Sequence, residues 1–318
     1  FKGVLFKMTK KLISLLLVLV LALSLVACSK GEDKPEETAS ETKTEEKTEE
    51  KTEEKAPEAS NEAITVISRE DGSGTRGAFI EITGIEEKDG DQKVDKTTID
   101  AVVQKSTNAV LMTVNGDKNA IGYISLGSLN DSVKAVKVEG VEASAENVLN
   151  ASYKIARPFN IVYKGELNGL KKDFIDFMMS KEGQEMVLEN KYVQVDTAAA
   201  EYKQNSQSGK LVIGGSTSVT PLMEKFAEKY MEMYPDVKIE IQATGSSAGI
   251  QAAIQGAADL GMASRDLSDE EKAELTNVVI AKDGIAVIVH NDNAVEDLTL
   301  DQIKAIFVGD IKTWGDIK

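Results

Sequence analysis

Cysteine, histidine and tryptophan each occur once in the 318 residues. A lone cysteine, Cys28, excludes an internal disulfide and a cysteine metal cage. One histidine, His290, adds too little to complete a zinc site. Aromatic residues make up 5%, and no basic stripe interleaved with aromatics is present, so nucleic acid is not an expected partner. No phosphate-loop signature G-x-x-x-x-G-K-[ST] occurs either. With no cofactor fingerprint and no ligand set for a metal, neither a cofactor nor a metal is expected. The formal net charge is −16, which does not favour a polyanionic partner.

The acidic residues are unevenly spread. Residues 29–63 contain the repeat TEEKTEEKTEEK and hold 6 Lys against 13 Asp plus Glu, a net −7. So few apolar residues cannot bury enough surface to fold, which makes this stretch a solvated tether. Residues 1–28 are different in kind. Met8 reads as a start, followed by Lys10 and Lys11, and Leu12 to Ala27 is a 16-residue apolar run. That is short of the roughly 20 residues of a bilayer span and suits a secretory signal. The run ends in LVAC, which resembles a bacterial lipobox. The resemblance implies cleavage before Cys28, attachment of lipid (palmitate among the acyl chains) to its thiol, and anchoring on the extracytoplasmic face of the cell membrane.

Residues 64–318 are long enough for two lobes. Short β-branched runs alternate with helical patterns. Strands are expected at ITVIS (64–68), AVLMTV (109–114), AIGYISL (120–126), FNIVYK (159–164), KLVIGG (210–215), VKIEIQAT (237–244), NVVIA (277–281) and GIAVIVH (284–290). PLMEKFAEKYMEMY places Leu222, Phe226, Tyr230 and Met233 on one helical stripe behind Pro221. Ser268 with Glu271, and Thr299 with Gln302, have capping-box spacing. A long amphipathic stretch from Leu170 to Asn190 reads as a helix pair broken near Gly183. This alternation predicts an α/β fold with mostly parallel sheets.

Three expected strand-to-helix turns share a composition: DGSGTRG (71–77), GSTSVTP (215–221) and TGSSAG (244–249). Each sets hydroxyls and backbone N–H groups at a helix N-terminus, where orphan donors and the positive end of the helix dipole stabilise an oxyanion. The plainer reading is that these Ser and Thr only cap helices. GSSAG also fits the G-x-S-x-G elbow of serine hydrolases around Ser247, with His290 as the sole available base. The pattern is short and His290 ends an expected strand, so the chain is read as a non-enzyme.

Taken together, SREDGSGTRGAF, NAIGYISLGSL, KIARPFNIVYKG, GSTSVTPLMEKFAEKY, TGSSAGIQAAIQGAADLGMASRDLSDEE and AKDGIAVIVHNDNAVEDLTLDQIKAIFVGDIKTW resemble the phosphate-binding proteins of bacterial phosphate ABC transporters, the PstS family. The resemblance covers nearly all of residues 64–318. It implies a two-lobed Venus-flytrap fold that closes on inorganic phosphate and delivers it, as a monomer, to permease subunits. The order of blocks differs from the usual one, in which GSTSVTP precedes SREDGSGTR, so the chain resembles a circular permutation of the family. The implied lobes are residues 64–156 plus 285–318 and residues 157–284, with crossings near Ala156 and Gly284. The implied phosphate contacts are Ser73, Gly74, Thr75, Thr217, Ser218 and Ser246, with Arg69 paired to Asp71. Arg76 is an added cation beside the loop, and Arg265 stands where better-known members place a proton-accepting aspartate. That leaves Glu70, Asp71 or Asp266 as the acceptor. Alternatives of the same shape are a binding protein for molybdate or sulfate, and a surface phosphate sensor or adhesin without a transport role.

Overall fold

The computed structural model describes residues 61–90 and 92–317. The signal segment, Cys28 and all but the last three residues of the tether lie outside the described residues. In chain order the first elements are β1 (Thr65–Arg69), α1 (Gly74–Ile82), β2 (Glu86–Asp89), β3 (Gln92–Asp95), β4 (Val102–Gln104), α2 (Thr107–Gly116) and β5 (Ala120–Ser125). There follow β6 (Lys134–Ala135), β7 (Lys137–Val138), α3 (Ala145–Leu149), β8 (Ala156–Tyr163), α4 (Gly169–Met179), α5 (Lys181–Glu189), β9 (Gly209–Gly215) and α6 (Thr220–Met233). The last are β10 (Val237–Ala243), α7 (Ser246–Gln255), β11 (Leu260–Ala263), α8 (Asp269–Glu274), β12 (Thr276–Val289), β13 (Asp297–Leu298) and α9 (Leu300–Val308).

One mixed sheet organises these elements, in the order β10-β9-β11-β8-β12-β5-β1-β4 with β6 beside β12. Its flanks are parallel: β10, β9 and β11 on one side, β5, β1 and β4 on the other. The centre is antiparallel, where β8 meets β11 and where β12 meets both β8 and β5. The 14-residue β12 changes partner midway. Thr276 to Gly284 runs against β8, and Ile285 to Val289 runs against β5.

The apolar clusters divide at the same place. One cluster gathers Phe159, Phe174, Phe177, Ile213, Phe226, Tyr230 and their neighbours under β8–β11, and a small one adds Ile250 and Leu267. Two others gather Phe79, Tyr123, Ile285, Val287 and Phe307 on one face and Ile67, Val110 and Ile288 on the other. Val193 is an exception. It pairs with Lys282 and packs with the second group, although its sequence neighbours belong to the first. Two cores joined by continuous strands give two lobes on one sheet.

Several local expectations meet their match. Both capping boxes form, at Ser268 with Glu271 and at Thr299 with Gln302. Two expectations need correction. AVLMTV is not a strand: it lies inside α2, where Ser106 accepts a hydrogen bond from Ala109 N and Val110, Leu111 and Val114 are buried at helical spacing. A good N-cap and a one-sided apolar stripe outweigh the β-branched content. NVVIA and GIAVIVH are not separate strands: Lys282 and Asp283 continue the ladder, because the Asp283 carboxylate is bonded by Ser125 and Arg157 instead of turning the backbone. The helix break falls at Ser180, which ends α4 and caps α5 through Gly183 N. Gly183 is there for room: a Cβ would sit 2.3 Å from the Phe177 carbonyl oxygen.

Candidate functional site

Four helix N-termini converge where the two halves of the sheet meet. α1 and α2 come from the β4–β1–β5 side, and α6 and α7 from the β8–β11 side. Capping accounts for one of the three expected loops. Ser73 accepts from Arg76 N at the head of α1, whereas α6 and α7 have no side-chain cap hydrogen bond. Four further hydroxyls, those of Thr75, Thr107, Thr217 and Ser218, bond to each other across the cleft. Thr75 Oγ1 lies 2.8 Å from Ser218 Oγ, and Thr107 Oγ1 lies 3.1 Å from Ser218 Oγ and 3.3 Å from Thr217 Oγ1. Ser247 N donates to Gly72 O at 3.0 Å. Gly74 is required by this approach, since a Cβ there would lie 2.3 Å from Ser246 Oγ and 2.7 Å from Ser264 Oγ.

Arg69, 2% exposed at the end of β1, brings the positive charge. Its Nη2 donates to Thr217 Oγ1 across the cleft at 3.2 Å. Its partner is not Asp71. Nε and Nη2 form a two-pronged pair with the Glu70 carboxylate, both at 2.8 Å. Asp71 is 98% exposed and pairs with Arg76 instead. A turn follows β1 at once, so residue 71 points to solvent while residue 70 stays beside its neighbour. Arg76 bonds Asp71, Asp95 and the Arg69 carbonyl, which braces the loop from behind. Burial pushes the Asp95 carboxyl up, but hydrogen bonds from Thr97 and Arg76 outweigh it and hold the group below the usual aspartate range.

Arg265 is tied by two bonds, of 2.7 and 2.8 Å, to Glu271 and donates to Ser247 Oγ at 3.3 Å. Asp266 is exposed. Of the carboxylates considered as proton acceptors, Glu70 alone faces the cleft: its Oε1 lies 3.7 Å from where a side chain on Gly245 would begin. His290 Nδ1 accepts from Asp292 N within its own turn, and Ser247 is engaged by Arg265, so no Ser–His pair is formed. Among the described residues no cluster of His, Cys, Asp and Glu could hold a metal, and no helix is long and apolar enough to cross a membrane.

The structure adds residues that the sequence patterns did not single out. Thr107 heads α2, hidden by the strand reading of AVLMTV. Ser216 and Ser264 are buried under the hydroxyl cluster. Arg157 is buried in β8, bonded to Asp283 of β12 and to Ser264. An arginine ahead of Pro158 in an apolar run was the available signal for it.

Comparison with known proteins shows the family. The description "PBP superfamily domain" belongs to the family model that matches residues 46–182 and 200–317. The chain is 48% identical over 255 residues to "Phosphate-binding protein PstS 2" of Streptococcus pneumoniae, covering 80% of this chain and 88% of that one. It is 50% identical over 261 residues to the protein of the same name from Streptococcus agalactiae, covering 81% and 89%. A crystal structure of a phosphate ABC transporter, phosphate-binding protein from S. pneumoniae superposes with a TM-score of 0.67 at 52% identity, covering 81% of this chain and 100% of that one. The chain therefore belongs to the PstS family of phosphate-binding proteins, within the PBP superfamily.

Proposed function

We propose that this protein captures inorganic phosphate between the two halves of its sheet and delivers it to the permease subunits of an ABC importer. The observation that carries the reading is the cross-cleft set of hydroxyls from the N-termini of α1, α2 and α6, with the buried Arg69 in reach of Thr217. Neutral O–H and N–H donors at helix N-termini hold an oxyanion without a broad positive field, so a chain of net charge −16 can bind one locally. In this reading Ser73, Gly74, Thr75, Thr217, Ser218 and Ser246 donate and Arg69 neutralises charge. Arg76 and Arg265 hold the loops. Glu70 accepts the P–OH proton that phosphate carries and sulfate lacks, which leaves sulfate facing an unmatched acceptor. Calorimetric titration of ligand-stripped protein with phosphate and sulfate tests this. Micromolar or tighter phosphate binding without a sulfate response supports it, and no heat with phosphate sinks it. Equal sulfate or molybdate binding would move the ligand within the oxyanions. Thr75→Ala and Ser246→Ala are each expected to weaken phosphate binding by roughly 1–3 kcal/mol.

We further propose that Cys28 is the lipid attachment point and that residues 29–63 tether the binding unit outside the membrane. The circularly permuted order has structural support. Ile64 N donates to Lys312 O at 2.8 Å, Trp314 N to Glu62 O at 3.3 Å, and Ala63 bridges Thr313, so the two ends of the folded part lie side by side. Adjacent termini are what permutation requires. The segment that joins the family's usual ends, residues 196–209, is irregular yet anchored. Tyr202 Oη and Asn205 Nδ2 both donate to the buried Asp173 carboxylate, and Lys181 N donates to Ala200 O.

A further inference from the structure

We infer that Ser264, held by the buried Arg157, is a positioning residue that fixes the Ser246 hydroxyl as a one-way hydrogen-bond donor toward the ligand. The inference rests on the phosphate reading above and follows from counting protons and lone pairs along a chain of three buried hydroxyls. A serine hydroxyl has one hydrogen to give and two lone pairs to accept with.

Ser216 comes first. Its Oγ accepts from Ser218 N at 3.2 Å and Val219 N at 3.4 Å, so its own hydrogen goes on to Ser264 Oγ at 2.9 Å. Ser264 Oγ also accepts from Arg157 Nη1 at 3.3 Å. Its two lone pairs are then filled, and its hydrogen is directed to Ser246 Oγ, 3.4 Å away. Ser246 Oγ accepts that bond and a second from Ser264 N at 3.1 Å. Its lone pairs are filled in turn, and what it has left is a hydrogen to donate. The polarity is set at the far end by a guanidinium, which has donors only and does not lose its charge. Arg157 cannot swing away, because Nε and Nη2 are bound to Asp283 and Nη1 also donates to the Ser264 carbonyl at 3.1 Å. The whole chain is buried, so water does not reverse it. A hydroxyl that can only donate is preorganised for an anion, while a free rotor would spend part of its time presenting a lone pair to it.

The test is phosphate titration of the full chain in wild type, Ser246→Ala, Ser264→Ala and the double variant. Each single change is expected to weaken binding about tenfold. Because Ser264 acts through Ser246, the double variant should bind no more weakly than Ser246→Ala alone. Ser264→Thr, which restores the Oγ, should recover most of the Ser264→Ala loss. Ser216→Ala gives a second reading if Ser264→Ala folds poorly: it should weaken wild type several-fold and leave Ser246→Ala unchanged. Losses that multiply in the double variant, or a Ser264→Ala protein that binds as wild type, overturn the inference while the phosphate function stands. Wild-type protein with no phosphate affinity overturns the function itself.

Discussion

Two buried arginines, each paired with a carboxylate, behave differently because of where their partners come from. Arg69 pairs with the next residue, Glu70, which is 22% exposed, and it still reaches Thr217 on the opposite lip. Arg157 pairs with Asp283 across two strands, with side chains 1% and 0% exposed, at the point where β12 changes partner. A pair at the cleft rim can exchange water for a ligand. A sealed pair cannot, and its desolvation is offset only by its own geometry. Burial pushes the Asp283 carboxyl up to about 6, against the opposing pull of Arg157 and the Ser125 hydrogen bond. In the proposed reading the cleft arginine serves recognition, while the sealed one holds the strand crossing and the buried hydroxyl chain.

The largest effect that would break this contrast is on stability. Arg157→Met leaves a buried carboxylate without its cation and should destabilise by about 3–5 kcal/mol at neutral pH. The sign of its pH dependence follows from the raised carboxyl. Without Arg157 the native Asp283 binds its proton more tightly still, while the unfolded chain keeps an ordinary aspartate. The penalty should then grow from pH 5 to pH 8, and denaturant unfolding at the two pH values checks it. An Arg157→Met protein that is equally stable at both would contradict the sealed-pair account.

Arg69→Ala should do the reverse: phosphate affinity falls by roughly 2–3 kcal/mol, measured calorimetrically, with a smaller stability loss than Arg157→Met. Gly74→Ala probes the same lip by crowding Ser246 and Ser264, and should weaken phosphate binding by roughly 1–3 kcal/mol. Asp71→Ala sharpens the correction made at the loop. With the side chain 98% exposed and paired to Arg76, its loss should change stability and phosphate affinity by less than about 0.5 kcal/mol. An effect as large as that of Arg69→Ala would restore Asp71 as the arginine's partner.

Part of the cleft was legible from local pattern. Gly, Ser and Thr at the starts of α1, α6 and α7 marked helix ends that the fold brings together, and the two capping boxes formed as spaced. Thr107 was missed because AVLMTV has the β-branched content of a strand, and its helical state is decided by Ser106 and by which face packs on the sheet. The polar hairpin of β2 and β3 left no apolar alternation to read. Glu70 displaced Asp71 because the turn after β1, which alternation alone does not locate, sets which side chain stays inside.

By itself the sequence determined the α/β alternation, the acidic composition of residues 29–63, the scarcity of metal ligands and the reordered motifs, since each is a matter of composition, period or order along the chain. Tertiary structure alone decided the pairing of Arg69 with Glu70, the single β12 shared by both lobes, and the relay from Arg157 through Ser264 to Ser246. The last two depend on groups far apart in sequence being brought within hydrogen-bond distance, as Arg157 and Asp283 are across 126 residues. No local propensity encodes that distance; the packing of two cores against one sheet sets it.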